Sequence, residues 1–483
     1  MIDAFPFNGY PVGILGLGRS GLATARALMK SGAEVHAWDD NEAAREKAIA
    51  EGIPVTDLMT LDWRDVPTLI AAPGVPLTHP EPHPVIAKVL SEGAEVIGDI
   101  EVLARTERNA AYVGITGTNG KSTTTALIGH IMELAGRDIQ MGGNLGTPAL
   151  ELMPLGQDGT YVLEMSSYQL DLTKSITFDV AVLLNISPDH LDRHGGLEGY
   201  IKAKKQIFNR QTDPRTAIVG IDDEYSVGIY NALAKIGDQR VIAISGRERI
   251  PGGVYVEDGI LIDDMDGGQT PVCDLKSIYT LPGNHNWQNA AAAYGAARSV
   301  GIEPHVIMAC LNSYPGLVHR QQMLDTVDGI RFVNDSKATN VDAAARALGC
   351  YENIYWIAGG RAKEKNLDGL PEDLSRIKHA FLIGEAAPLF AAELDGKVTL
   401  TQSGTLEQAF TDAVDQAKAD GLEGAVVLLS PAAASFDQFE NFEVRGDVFA
   451  GLVENLDGDH VDPFEDAVDQ QDLNNMPASG GLH

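Results

Sequence analysis

Short apolar runs recur along nearly the whole chain, each ending in a glycine or polar turn and followed by an amphipathic stretch. Such runs stand at 11–15, 34–38, 68–72, 95–98, 112–116, 162–165, 180–184 and 216–221, and again at 330–333, 354–358, 380–383 and 425–429. Apolar runs of this length bounded by turn signals predict buried strands, and the 3.6-residue periodicity between them predicts helices. Strand and helix in strict alternation predict an α/β fold with mostly parallel sheets. The stretch 239–282 breaks the rhythm and reads as β-rich and irregular. Residues 457–483 hold seven acids and no Lys or Arg, which predicts an acidic, unstructured tail. The breaks fall near 98 and 317. Three domains are therefore expected: 1–98 and 317–456, both Rossmann-like, flanking a central domain over 99–316.

The richest turn follows Tyr112-Val-Gly-Ile-Thr116. Gly117-Thr-Asn-Gly-Lys-Ser122 leads straight into the helical pattern Thr123–Leu134. Glycines at 117 and 120 let backbone N–H groups curl around phosphate oxygens, and Lys121 adds charge near the terminal phosphates. Ser122 offers a hydroxyl to Mg2+, and the helix N-terminus favours an anion. Ile115 stands where the usual motif has its first glycine, but the strand–loop–helix context supports a phosphate loop.

A second glycine turn, Gly16-x-Gly18-x-x-Gly21, follows the first run. The next strand ends in Trp38-Asp39-Asp40. Taken alone this is a dinucleotide fingerprint and favours NAD; a Rossmann-like fold for another nucleotide, such as a uridine diphosphate, is the other reading. The phosphate loop shifts the weight away from a simple dehydrogenase.

Composition narrows the partners. Lys and Arg number 36 against 68 Asp and Glu, a formal charge of −32, which argues against nucleic acid or an anionic membrane as partner. An anionic substrate must then be held by local cations and metal ions. No apolar run approaches the roughly 18 residues of a membrane helix, and Met1–Phe7 lacks the basic start of a secretory signal. Cys273, Cys310 and Cys350 are odd in number and far apart, as expected of reduced thiols in a cytoplasm.

Further polar groups sit at predicted strand ends, the ligand-binding edge of an open parallel sheet. Glu164 is placed as a carboxylate on nucleotide Mg2+. His190 and His194 are four apart, but no third ligand at zinc spacing accompanies them. Lys202, Lys204 and Lys205 read as a solvated helix face. Asn286 and Asn289, three apart on one helix, are either caps or base readers.

Together, Gly117–Ser122, Gly143-Asn144-Leu-Gly146, Glu164-Met-Ser-Ser-Tyr-Gln169, Asp189-His190-Leu-Asp-Arg193, Asn334-Asp-Ser-Lys-Ala-Thr-Asn340 and Ser430-Pro431 to Gly446 resemble the motifs of the Mur ligases of peptidoglycan synthesis. The resemblance implies an ATP-dependent amide ligation: a carboxylate attacks the γ-phosphate, and an amine then displaces phosphate from the acyl phosphate. It implies that Gly117, Thr118, Asn119, Gly120, Lys121, Ser122, Thr123, Asn286, Asn289, Arg320 and Asp335 contact ATP. Ser122 and Glu164 would hold one Mg2+. His190 and Lys204 would hold a second, with Lys204 carrying a CO2-derived carbamate. Lys121, His190, Lys204 and Asn144 are the implied catalytic set. The 334–340 block resembles that of the family member whose substrates are UDP-N-acetylmuramoyl-L-alanine and D-glutamate. Arg19, Ser20, Asp39, Asp40 and Asn144 would then face the UDP-linked substrate, with Asn41 where the family has a basic residue. Lys337, Thr339, Lys363, Ser435 and Phe442 would hold D-glutamate. A cytoplasmic monomer is expected. The alternatives are another Mur-type ligase, a folylpolyglutamate ligase (which lacks a domain like 1–98), an NAD oxidoreductase and a non-catalytic nucleotide switch.

Overall fold

The computed structural model describes residues 1–144, 146–278, 280–362 and 366–461. They form two compact units, one spanning Met1–Asp274 and Asn284–Leu311, the other Leu275–Gly283 and the described chain from Asn312 onward. The fold is α/β with mostly parallel sheets, as the alternating pattern predicts.

The first unit carries two sheets. Strands β1 (Pro11–Leu15), β2 (Glu34–Trp38), β3 (Thr68–Ala71) and β4 (Glu95–Ile97) pair in parallel in the order β2-β1-β3-β4. The central sheet contains β5 (Ala111–Thr116), β6 (Ile139–Gly143), β7 (Thr160–Glu164), β8 (Val180–Leu183), β9 (Thr216–Gly220), β10 (Arg240–Ser245), β11 (Val254–Glu257), β12 (Ile260–Asp263) and β13 (Thr270–Asp274). Its order is β13-β12-β11-β10-β9-β8-β5-β7-β6. It is parallel from β6 to β11, and β12 and β13 close it antiparallel. The irregular stretch 239–282 holds the parallel strands β10 and β11 and this antiparallel extension. Its short strands are joined by tight turns with Asp258 and Gln269 at positive φ.

The second unit holds β14 (Gln322–Val327), β15 (Ile330–Asn334), β16 (Ile354–Gly359), β17 (Ile377–Ile383), β18 (Leu400–Gly404), β19 (Val426–Leu429) and β20 (His460–Val461), ordered β18-β17-β16-β19-β15-β14-β20. β15 to β18 and β19 are parallel; β14 and β20 run antiparallel at the edge. Apolar clusters fill both faces, one around Trp356, the other around Phe332 and Phe449. Ordered chain thus continues past 456, where the acidic tail was expected to begin. Backbone pairing of β20 with β14 and a 2.6 Å contact of His460 Nδ1 with Asp325 Oδ2 hold that segment. Residues 462–483 lie outside the described residues.

Strand order decides where ligands can go. In an open parallel sheet the crevice forms at the carboxyl ends of strands where the order reverses. The reversals lie at β1, at β5 and between β15 and β16. The loops leaving these strands are Gly16–Gly21, Gly117–Ser122, and the set 334–340, 359–360 and 430–435.

The two sheets of the first unit are joined through the helix Asp99–Thr106. Its Glu101 is fully buried. Its carboxylate accepts the backbone N–H of Lys174 (2.8 Å), the N–H (2.9 Å) and hydroxyl (2.6 Å) of Ser175, and Arg105 Nε (2.9 Å). Burial works to raise its pKa, but these hydrogen bonds outweigh it and the net shift is downward. Glu101→Gln should cost about 1–3 kcal/mol at neutral pH. A depressed folded pKa gives stability that is complete above the unfolded value and lost as pH falls through the folded one. The gap in Tm between variant and wild type should therefore narrow below about pH 4. Thermal melts at both pH values check this, and an unchanged gap would show that the charge is not what stabilises.

Candidate active site

β5 delivers the phosphate loop. The chain leaves Thr116 through Gly117 (φ 157°) and Gly120 (φ 83°) into the helix Lys121–Leu134. A Cβ on Gly120 would stand 2.3 Å from Asn289 Oδ1, so the turn needs glycine for space as well as conformation. Asn185, just past β8, fixes the loop. Its Oδ1 accepts the Asn119 N–H (2.9 Å), and its Nδ2 donates to the Asn119 carbonyl and to Gln288 Oε1, each at 3.2 Å. Gln288 in turn donates to Asp222 at 2.9 Å. Thr118 Oγ1 accepts the Ser187 N–H (3.0 Å) and lies 3.1 Å from the Tyr200 hydroxyl. Lys121 Nζ donates to the carbonyls of Gly117 and Thr118, both at 2.9 Å. Asn286 and Asn289 are buried on one face of the helix Asn284–Ser299, not at its cap. Asn289 Oδ1 accepts from Thr124 Oγ1 (3.2 Å), and its Nδ2 donates to Asn286 Oδ1 (3.1 Å). The pair therefore braces the phosphate-loop helix.

Glu164 ends β7, the neighbour of β5, and is buried. Its Oε1 accepts from Asn144 Nδ2 at 2.5 Å; its Oε2 is buried with no hydrogen-bond partner. A buried carboxylate oxygen left unpaired is costly. With the Ser122 hydroxyl on the adjacent loop it makes a hard-oxygen set that fits Mg2+.

Lys204 corrects the expectation of a solvated lysine face. Lys202 and Lys205 are exposed, but Lys204 is 1% exposed. It shares the inward face of the helix Leu197–Lys205 with Tyr200 and Ala203, because residues three and four apart fall on one side. Its Nζ donates to the Gly117 carbonyl at 2.8 Å and lies 4.7 Å from the Tyr200 ring centroid. Burial, then the neighbouring charge of Lys121, pushes its pKa well below the ordinary value, against the opposing pull of Asp189 and Glu164. The shift favours the neutral amine beside the phosphate loop.

The two histidines of 190–194 differ. His190 is half exposed at the start of Leu191–His194, in the left-handed region (φ 51°), 5.2 Å from the Tyr168 ring. His194 is buried, 2.9 Å from Ser167 Oγ and stacked on Tyr168. Arg193 lies over the Tyr168 ring, 4.8 Å from its centroid, and donates to the Gly74 carbonyl.

The first glycine turn is built differently from a ribose-reading site. Both Asp39 oxygens take main-chain N–H groups, Oδ2 from Leu17 (2.6 Å) and Oδ1 from Asn41 (2.8 Å). Asp40 pairs with His83 Nε2 at 2.9 Å, and that hydrogen bond first of all lowers its pKa. Arg19 and Ser20 open the helix that follows Gly18. Asn41 is used as a helix cap, accepting the Ala43 N–H. One turn on, Arg45 lies 4.6 Å over the Trp38 ring and donates to the carbonyls of Asp39 (2.6 Å) and Asp40 (2.9 Å). A basic group does stand at this strand end, four residues after the expected position.

Comparison with known proteins fits this arrangement. Residues 115–297 match the Mur ligase middle domain, and residues 319–433 match the Mur ligase glutamate ligase domain. A protein of Rhodospirillum rubrum named UDP-N-acetylmuramoylalanine–D-glutamate ligase is 52% identical, over 94% of this chain and 97% of its own. One of the same name from Phenylobacterium zucineum is 49% identical, over 94% and 98%. The chain belongs to the Mur ligase family. Solved Mur ligases share the fold. UDP-N-acetylmuramate-alanine ligase MurC of Thermotoga maritima gives a TM-score of 0.54 at 17% identity, over 92% of this chain and 99% of that one. MurF of Acinetobacter baumannii gives 0.53 at 19%, over 77% and 87%.

In this Mur ligase the remaining motif residues that are described lie on the loops leaving β15 and β19 and at the start of the helix Phe442–Glu454. Asp335 is buried. It accepts from Ser430 Oγ (2.8 Å) and the Gln321 N–H (3.2 Å), and burial pushes its pKa up to about 7, with the charge of Arg320 among the opposing effects. Lys337 Nζ sits 3.7 Å from the Phe442 ring centroid. Thr339 follows on the same loop, and Ser435 is buried beyond β19. Lys363 lies outside the described residues. Asn185, Arg45 and Arg445 were not singled out from the sequence as site residues; their role shows only when strand ends are brought together. Among the described residues no helix is long and apolar enough to cross a membrane.

Proposed function

We propose that the protein joins D-glutamate to UDP-N-acetylmuramoyl-L-alanine at the expense of ATP, in the cytoplasmic stage of peptidoglycan precursor synthesis, acting as a monomer. The observation that carries this reading is 52% identity, along almost the entire length of both chains, with a relative bearing that activity's name. The loop geometry supports it. The Gly117–Ser122 N–H groups and Lys121 take the ATP phosphates, with Thr118, Asn119 and Thr123 completing the loop. Asn286 and Asn289 stand on the adenine side. Asn144 orients the alanyl carboxylate, and Arg19, Ser20, Asp39 and Asp40 serve the uridine diphosphate. Lys337, Thr339, Lys363, Ser435 and Phe442 serve D-glutamate.

The chemical problem is the approach of two anions. Two unit charges 4 Å apart repel by about 4 kcal/mol at an effective dielectric near 20. Lys121 offsets that repulsion at the transferring phosphoryl group. Mg2+ on Ser122 and Glu164 would supply further positive charge. A second ion would need an anionic oxygen from Lys204. In its neutral form the amine can add to CO2, forming a C–N bond and releasing one proton, and the resulting carbamate would join His190 as a ligand. Lys204→Ala should lose at least about tenfold in rate and regain part of it with added formate or acetate. Intact-protein and peptide mass measurements under CO2, together with this rescue, test the carbamate. An unmodified Lys204 with a normal-rate alanine variant would contradict it.

The reaction itself is tested by product. Mass analysis should show UDP-N-acetylmuramoyl-L-alanyl-D-glutamate, one phosphate and one ADP per turnover. Phosphate release that proceeds equally without the UDP-linked substrate would contradict the reading.

A further inference from the structure

Arg445 is a buried cation to which no known motif role has been given above. It lies on the helix Phe442–Glu454 and is 1% exposed. Its Nε donates to Ser336 Oγ (3.0 Å), its Nη2 to the Ser336 carbonyl (2.8 Å) and its Nη1 to the Ala433 carbonyl (3.2 Å). Nη1 also lies 3.2 Å from where a Cβ on Gly360 would stand. The guanidinium thus bonds to the loops leaving β15 and β19 and lies near Gly360 at the end of β16. Ser336 in turn donates to the Phe442 carbonyl at 2.8 Å, closing the ring back to the helix start.

What Arg445 touches is neutral. Its hydrogen bonds go to two carbonyls and one hydroxyl, and it takes part in no ion pair among the described residues. Asp437 and Asp335 act on it only at a distance, and burial brings its pKa down to about 10. Burying a charge without a paired counter-charge is expensive. Among the described residues no acid is placed directly against this group. The same loops carry Lys337 and Thr339 after Ser336, and Ser435 after Ala433. A buried, unpaired positive charge there sets a positive potential at a strand-end crevice, where a ligand's carboxylates would supply the missing counter-charge.

We propose that Arg445 is a positioning residue for the amino-acid substrate: it ties the 336 and 433 loops together and holds a fixed positive charge that selects a dicarboxylate. This rests on the reading of the second unit as the D-glutamate site. The test is steady-state kinetics on the full-length enzyme with Arg445→Gln, Arg445→Lys and Ser336→Ala. Arg445→Gln keeps hydrogen-bond donors but loses the charge, and should raise KM for D-glutamate at least about tenfold while KM for ATP stays within about twofold. Arg445→Lys keeps the charge and should stay within about threefold of wild type in KM. Ser336→Ala weakens the tie and leaves the charge, and should lower kcat with little change in KM. Equal KM increases for Gln and Lys, or none for Gln, would overturn the charge assignment. If Arg445→Gln fails to fold by circular dichroism, the Lys and Ser336→Ala variants decide: a tenfold KM rise in either would assign the effect to anchoring alone. If wild type does not use D-glutamate, the parent reading fails instead, and the two failures are distinct.

Discussion

Lys121→Ala should release phosphate at least about 10³-fold more slowly than wild type, with its fold and melting temperature nearly unchanged. The scale is that of removing one fixed positive charge from a transferring phosphoryl group. The structure explains why the fold should survive. The glycine turn is held by Asn185 on both sides of Asn119, by Asn289 beneath the helix and by Thr118 against Ser187. Lys121 adds hydrogen bonds to the Gly117 and Thr118 carbonyls. Lys204, whose Nζ also donates to the Gly117 carbonyl, is buried and held by that bond. Stopped-flow or coupled phosphate detection on the purified variant checks the loss. Near-normal ATP turnover would remove the phosphate-loop assignment.

Much of this was legible before the fold was seen, because the relevant information is local. A glycine turn between an apolar run and a helical pattern is a local event, so Gly117–Ser122 and Gly16–Gly21 could be placed from the residues alone. Glu164, at the end of β7 beside β5, follows from the same rule about strand ends. What could not be read from local pattern is how distant strand ends meet. Lys204 looks like one of three solvated lysines until its helix packs over the phosphate loop. Asn286 and Asn289 look like caps until Thr124 is seen against them, 165 residues away from Asn289. Asp39 matches a ribose-reading acid by spacing, yet both its oxygens are taken by Leu17 and Asn41 N–H groups. Arg445 gives no local signal at all; its meaning lies in Ser336 and Ala433. Acidic composition misplaced the start of the tail, because backbone pairing at β20 outweighs it.

The choice of amino acid tests the central claim most directly. D-glutamate presents an attacking amine, an α-carboxylate and a side-chain carboxylate. In a chain of formal charge −32 such an anion can bind only where donors and cations are gathered, and the set we propose is Lys337, Thr339, Ser435 and the buried charge of Arg445. Fixing both carboxylates and the amine fixes chirality: the L-isomer leaves one group unpaired, and an unpaired charge costs several kcal/mol, or roughly 10²-fold or more in selectivity. The measurement is kcat/KM for phosphate release with ATP and UDP-N-acetylmuramoyl-L-alanine held saturating. D-glutamate, L-glutamate and meso-diaminopimelate are compared in turn. The account predicts turnover with D-glutamate, and L-glutamate and meso-diaminopimelate at least about 10²-fold lower; equal rates with D- and L-glutamate, or a preference for meso-diaminopimelate, would contradict it.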